Sequence, residues 1–189
     1  LNTSGELYSI NYIDQSVSWV LNFKNSSLTK DTDLFLSHPL IVNKNNLIIS
    51  TEKAILNYDT LTGVKKWSFP SDTIIKPILT TNYTYAVSKN DLLICIDNKT
   101  GQTVWSRNIY KDLNGKKIKF KIGRLYDFKI VDNKINLFSK KGYLLIFNSS
   151  NGIFKSIEKI SKSGISSEVV FINKEMFLID NKNRLLKFN

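Results

Sequence analysis

An all-β chain, built as a partial β-propeller of four-stranded antiparallel blades, is predicted by three observations. First, a unit recurs at an offset of 38 residues without a gap, pairing Pro39 with Pro77, Asp59 with Asp97, Gly63 with Gly101 and Trp67 with Trp105. A fixed period of roughly 20–50 residues marks a repeat architecture. Second, each unit holds two pairs of short β-branched and aromatic runs separated by turn residues, and sustained helical spacing is absent. Four strands in roughly 38–50 residues is the size of a propeller blade. Third, two adjacent columns of the repeat are apolar: Leu7, Ile55, Leu93, Leu144 and Leu185, then Tyr8, Leu56, Ile94, Leu145 and Leu186. Neighbouring strand residues point to opposite faces, so this strand is expected to be buried on both faces, as in stacked sheets.

The chain opens on Gly5–Asn11, which leads through a turn to Val17-Ser18-Trp19. The first full unit pairs Pro39–Val42 with Leu47–Ser50, then Ala54–Asp59 with a strand ending in Trp67. The second pairs Pro77–Leu79 with Tyr83–Val87, then Leu92–Asp97 with a strand ending in Trp105. The third pairs Phe128–Val131 with Ile135–Phe138, then Gly142–Asn148 with the strand after Gly152. A last piece pairs Glu168–Ile172 with Glu175–Ile179 and ends in Asn183–Asn189. The prediction is therefore three full repeats plus a partial blade at each end. The turn before each fourth strand has a physical cause. Asp59, Asp97 or Asn148 bonds the backbone two residues on, and Gly63, Gly101 or Gly152 supplies a positive φ. Gln15 stands in the glycine position of the first copy, so that turn is expected to differ.

Two stretches break the period. One lies near residues 25–37 and the other near 108–124. The second contains Asn114-Gly115 followed by Lys116, Lys117, Ile118, Lys119, Phe120 and Lys121, then Arg124. It reads as an Asn-Gly hairpin with a basic strand, Lys117, Lys119 and Lys121 outward and Ile118 and Phe120 inward. Insertions on a repeat scaffold often carry function. Lys116, Lys117, Lys119, Lys121 and Arg124 are the candidate partner-binding residues. An acidic protein face, an anionic lipid surface and a plain solvated hairpin all fit them. Residues 112–123 are expected to be dispensable for folding.

The chain has 189 residues, 42% of them hydrophobic, which suffices for the core of a single domain over 1–189. Net charge is +11, yet only 3 of the 27 basic residues are arginine. Lysine suits solvated surfaces better than bidentate phosphate recognition, and no nucleic-acid-binding motif is present. Nucleic acid is therefore not an expected partner. The single cysteine, Cys95, allows no internal disulfide. No apolar run approaches the roughly 20 residues of a membrane helix, and no signal peptide is visible. His38, the one histidine, has no second histidine with which to form a metal or catalytic pair.

The pattern Asp-X-X-Thr-Gly, three residues, Trp, at Asp59…Trp67 and Asp97…Trp105, resembles the quinoprotein-type (PQQ-like) repeat of β-propellers. The match is partial at Trp19 and weak after Gly152, where Ser156 occupies the tryptophan column. The resemblance implies that Trp67, Trp105 and Trp19 dock between adjacent blades. It also implies seven or eight blades in a complete propeller, so the chain is read as part of a larger one whose uncovered edge strands favour self-association. Within the family, quinone-dependent dehydrogenases use calcium, a quinone and an acidic base. Asp59 and Asp97 are already explained as turn formers, no carboxylate cluster has calcium-ligand spacing, and no cofactor is expected. The other branch is similar to the propeller lipoprotein of the outer-membrane β-barrel assembly machinery. It implies a non-enzymatic scaffold, in the periplasm or at the outer membrane, with a protein partner from that machinery. A quinone-dependent dehydrogenase and a ligand-binding sensor propeller are the competing readings.

Overall fold

The computed structural model describes residues 1–23, 35–51, 53–113 and 116–188. Most of the insertion near residues 25–37, and the dipeptide Asn114-Gly115, lie outside the described residues. Strands β1 (Glu6–Ile10) and β2 (Val17–Asn22) form a two-stranded sheet. A four-stranded sheet follows, from β3 (Ile41–Asn43), β4 (Asn46–Ser50), β5 (Ala54–Asp59) and β6 (Lys65–Pro70). The third sheet holds β7 (Ile78–Leu79), β8 (Tyr83–Val87), β9 (Leu92–Asp97) and β10 (Thr103–Asn108). The fourth holds β11 (Leu125–Val131), β12 (Lys134–Ser139), β13 (Tyr143–Asn148) and β14 (Phe154–Lys159). The fifth has three strands, β15 (Val170–Ile172), β16 (Glu175–Ile179) and β17 (Leu185–Phe188). Within every sheet the strands lie in chain order, the meander that short turns impose.

The chain divides into two compact units, residues 1–85 with 96–104, and 86–95 with 105–189, and the third sheet gives strands to both. In the first unit, Leu7 and Phe23 pack on Leu47, Ile49, Leu56 and Tyr58 of the second sheet. Phe23 stacks on Phe35 at 5.0 Å and meets the Tyr58 ring edge-on at 5.9 Å, geometries that aromatic quadrupoles favour. In the second unit, Phe138 and Leu144 of the fourth sheet pack on Val169, Met176, Leu178 and Leu186.

Burial of the third strand on both faces holds for the three full blades: Ile55 and Leu56, Leu93 and Ile94, Leu144 and Leu145 are all buried. It fails at the two outer sheets, where Tyr8 is 44% and Leu185 70% exposed. Each outer sheet has one packed face and one open face. Leu7 and Leu186 lie on the packed faces, whereas Tyr8 and Leu185 lie on the open ones.

The expected basic hairpin is corrected. Lys111–Leu113 form a 3-10 turn and Lys116–Ile122 an α-helix, α1. Ile122 is wholly buried, Ile118 is half-buried, and Phe120 is 83% exposed, the reverse of its expected orientation. Spacing explains this: Ile118 and Ile122 share one side of a helix but Ile118 and Phe120 do not. Gly123 ends α1 with φ +75° and its N–H on the Lys119 carbonyl at 2.9 Å, the left-handed stop that glycine accommodates. The first turn keeps part of the pattern: Gln15 takes φ +58°, and Asn11 N–H bonds the Ser16 carbonyl at 2.9 Å as in the other copies.

Candidate interaction surface

The repeat turns are built alike. The Asp59 carboxylate accepts from Leu61 N–H and Thr62 N–H, both at 3.0 Å, and the Asp97 carboxylate from Lys99 N–H at 2.9 Å and Thr100 N–H at 2.8 Å. Gly63 N–H closes on the Asp59 carbonyl at 2.9 Å and Gly101 N–H on the Asp97 carbonyl at 2.8 Å. These donors, led by the threonine N–H, hold both carboxyls below the usual carboxylate range; Lys66, 3.1 Å from Asp59, adds to the first. The carboxylates are thus engaged by their own turns.

Each tryptophan lies on the turn glycine of the next repeat. A Cβ on Gly63 would stand 2.8 Å from the Trp19 ring, one on Gly101 2.6 Å from Trp67, and one on Gly152 2.5 Å from Trp105. Trp19 Nε1–H donates to the Thr60 carbonyl at 3.1 Å and Trp67 Nε1–H to the Asn98 carbonyl at 2.8 Å. Trp67 is buried, whereas Trp19 and Trp105 are half-buried. Sequence reasoning missed the polar knot around Asn98. Its side chain accepts from Thr84 Oγ1–H at 2.7 Å and donates to the Thr80 carbonyl at 2.9 Å, while its carbonyl also receives Asn57 Nδ2–H at 3.3 Å. The Asn57, Thr84 and Asn98 side chains are buried, where each hydrogen bond helps to specify one packing, and the Asn57 Oδ1 is left without a partner among the described residues.

The candidate basic residues separate into different environments. Lys119 is committed: its Nζ lies 2.5 Å from Asp91 and 5.7 Å from the centre of the Tyr110 ring. Burial, and then the Asp91 charge, push the Tyr110 phenol up to about 12. Lys117, Lys121 and Arg124 are exposed, and the Lys116 side chain lies outside the described residues. Three lysines absent from the sequence-based set join them. Lys141 Nζ stands 5.0 Å from the Phe120 ring centre and donates to the Phe120 carbonyl at 3.1 Å. Lys140 lies over the Tyr126 ring at 4.1 Å, and Lys159 over Tyr143 at 4.2 Å. Lys140 and Lys141 come from the β12–β13 turn and Lys159 from the end of β14, each distant in sequence from its aromatic partner, so no local motif announced them. Because Ile122 is buried, removing residues 112–123 would open the core, which overturns the expectation that the segment is dispensable.

Other features complete the surface. A cleft of ≈ 410 Å³ in the second unit is lined by Leu144, Ile146, Phe171, Met176 and Phe188, with Glu158 and Lys174. Asp180 is wholly buried and receives Arg184 Nε–H at 2.9 Å and Ser163 Oγ–H at 2.8 Å, which hold its carboxyl well below the usual range. Among the described residues no three His, Cys, Asp or Glu side chains group as metal ligands, and no helix is long and apolar enough to cross a membrane.

Antiparallel blades latched by Asp or Asn turns, with successive indoles laid on the next turn's glycine, define a propeller of the PQQ-like repeat class. The family model for the outer membrane protein assembly factor BamB matches residues 1–189, and the chain belongs to that family. The crystal structure of BamB from Moraxella catarrhalis superposes with a TM-score of 0.65 at 17% identity, covering 99% of this chain and 56% of that one. The chain thus spans little more than half the length of that protein. The computationally designed Ika4 protein superposes with a TM-score of 0.61 at 13% identity over 87% of this chain and 98% of its own. At these identities the likeness shows the fold alone. No curated protein sequence matches the chain.

Proposed function

We propose that the chain is a non-catalytic scaffold of the cell envelope that holds protein components of outer-membrane assembly against its blades. It would work in the periplasm or at the outer membrane, as one domain of a larger propeller. The observation that supports this most is the assembly-factor family match over residues 1–189. The engagement of Asp59 and Asp97 by their own turns supports it further, because a dehydrogenase base needs a carboxylate free to take a proton. A second reading, a ligand-binding sensor, rests on the ≈ 410 Å³ cleft, whose volume falls within the range of small-molecule sites. The test is binding of the purified chain to purified, detergent-solubilised barrel-assembly machinery. Saturable binding is expected, and none at about 10 μM would overturn the scaffold reading. In a parallel arm, calcium and pyrroloquinoline quinone are titrated while tryptophan fluorescence is followed. No saturable change is expected; one would favour the enzyme.

A further inference from the structure

The second unit has a strongly cationic end. Strand directions bring the β12–β13 turn, the end of β14 and the connection carrying α1 to the same end of the fourth sheet. Lys117, Lys121, Arg124, Lys140, Lys141, Lys159 and Lys162 are all exposed there. The carboxylates of this region are fewer. Asp91 is taken by Lys119 and Asp180 by Arg184, which leaves Glu158 and Glu168 as the exposed ones among the described residues. Amid the cations stands Phe120, 83% exposed. Residues 117, 120 and 121 fall on one side of α1, so the phenyl and two ammonium groups face outward together. Ile122, on the opposite side of the helix, is buried and anchors α1, and Lys141 stands beside the Phe120 ring.

We infer that this end of the molecule rests on an anionic phospholipid bilayer, with Phe120 entering the headgroup boundary and the surrounding lysines on the phosphates. An acidic protein face would use the cations but needs a fitted apolar pocket to use a lone phenyl. A bilayer interface uses both, since its boundary takes up aromatic rings while its charge attracts basic groups. The preference for lysine points the same way. Point charges on flexible stems suit laterally mobile phosphates, whereas a fixed acidic partner rewards the planar fork of arginine. The inference goes beyond the scaffold reading and does not depend on it.

The test is sedimentation of the chain with protein-free vesicles of phosphatidylcholine alone or with about 30% phosphatidylglycerol, an anionic fraction large enough for electrostatic attraction to act. Binding is expected only to the anionic vesicles, and should fade toward about 1 M salt as screening shortens to about 3 Å. Phe120→Ser should weaken partitioning about tenfold. Lys117→Ala with Lys121→Ala should weaken it about 25-fold, roughly fivefold for each lysine. All three side chains are exposed, so the fold should survive, and circular dichroism checks this. No binding to anionic vesicles at low salt overturns the proposal, as does binding indifferent to these changes. Phe120-independent binding to polyglutamate without vesicle binding would assign the patch to an acidic protein instead. The vesicles contain no protein, so failure here leaves the scaffold test untouched.

Discussion

At the scale of single residues, the repeat turns leave no room for a side chain where each indole lies on a glycine. Gly101 combines φ +74° with a ring 2.6 Å from where a Cβ would stand, so a methyl group meets both backbone strain and a clash. Gly101→Ala should cost about 1–3 kcal/mol, and Trp67→Ala about 3–5 kcal/mol by emptying a buried aromatic site, both read by urea unfolding. A cost for Gly101→Ala within about 0.5 kcal/mol would show that the contact relaxes freely. The glycine and the tryptophan were legible in the sequence because both recur at the repeat offset. Their hydrogen-bond partners were not. Trp19 and Trp67 donate to the backbone carbonyls of Thr60 and Asn98, equivalent places in the repeat, and a main-chain acceptor leaves no side-chain signature.

At the scale of elements, the turns carry a pH dependence whose sign follows from their hydrogen bonds. The folded state lowers the carboxyl pKa of Asp59 and Asp97 below the unfolded value of about 3.9. Their contribution to stability is therefore complete above that value and disappears as pH falls through the lower, folded one. The thermal midpoint should hold from neutrality to about pH 5 and drop below about pH 4. Asp59→Asn with Asp97→Asn should make that acid drop shallower, since an uncharged Asn148 accepts the equivalent bond from Ser150 N–H at 2.8 Å, one of the two that each aspartate accepts. An unaltered acid limb would place the titrating groups elsewhere. The strands were legible, because paired apolar runs with turn residues between them admit few alternatives. Helix α1 was not. Lys117, Lys119 and Lys121 fit a period of two, and only the buried Ile122 shows that the helical spacing prevails.

At the scale of the whole molecule, the outer sheets each leave an apolar face open. The first exposes Tyr8, Ile10, Val17 and Val20, and the fifth exposes Val170, Ile172, Ile179 and Leu185. Equivalent positions in the full blades, such as Leu56 and Ile55, are covered. Contiguous apolar patches of this kind mark contact surfaces. We expect light scattering to show the mass rising with concentration, and Ile10→Lys with Leu185→Lys to return a monomer. A concentration-independent monomer in the original chain would argue against self-association. The repeat made the number of sheets readable, but which face of each outer sheet stays open depends on packing direction, and two apolar columns look the same from either side. The seating of the indoles adds a constraint during synthesis. Trp19, Trp67 and Trp105 meet glycines that come 44, 34 and 47 residues later. On the ribosome, each ring must wait for the next unit to emerge before it is covered, so a translational pause between repeats would leave a sticky aromatic surface within reach of chaperones and of other nascent chains.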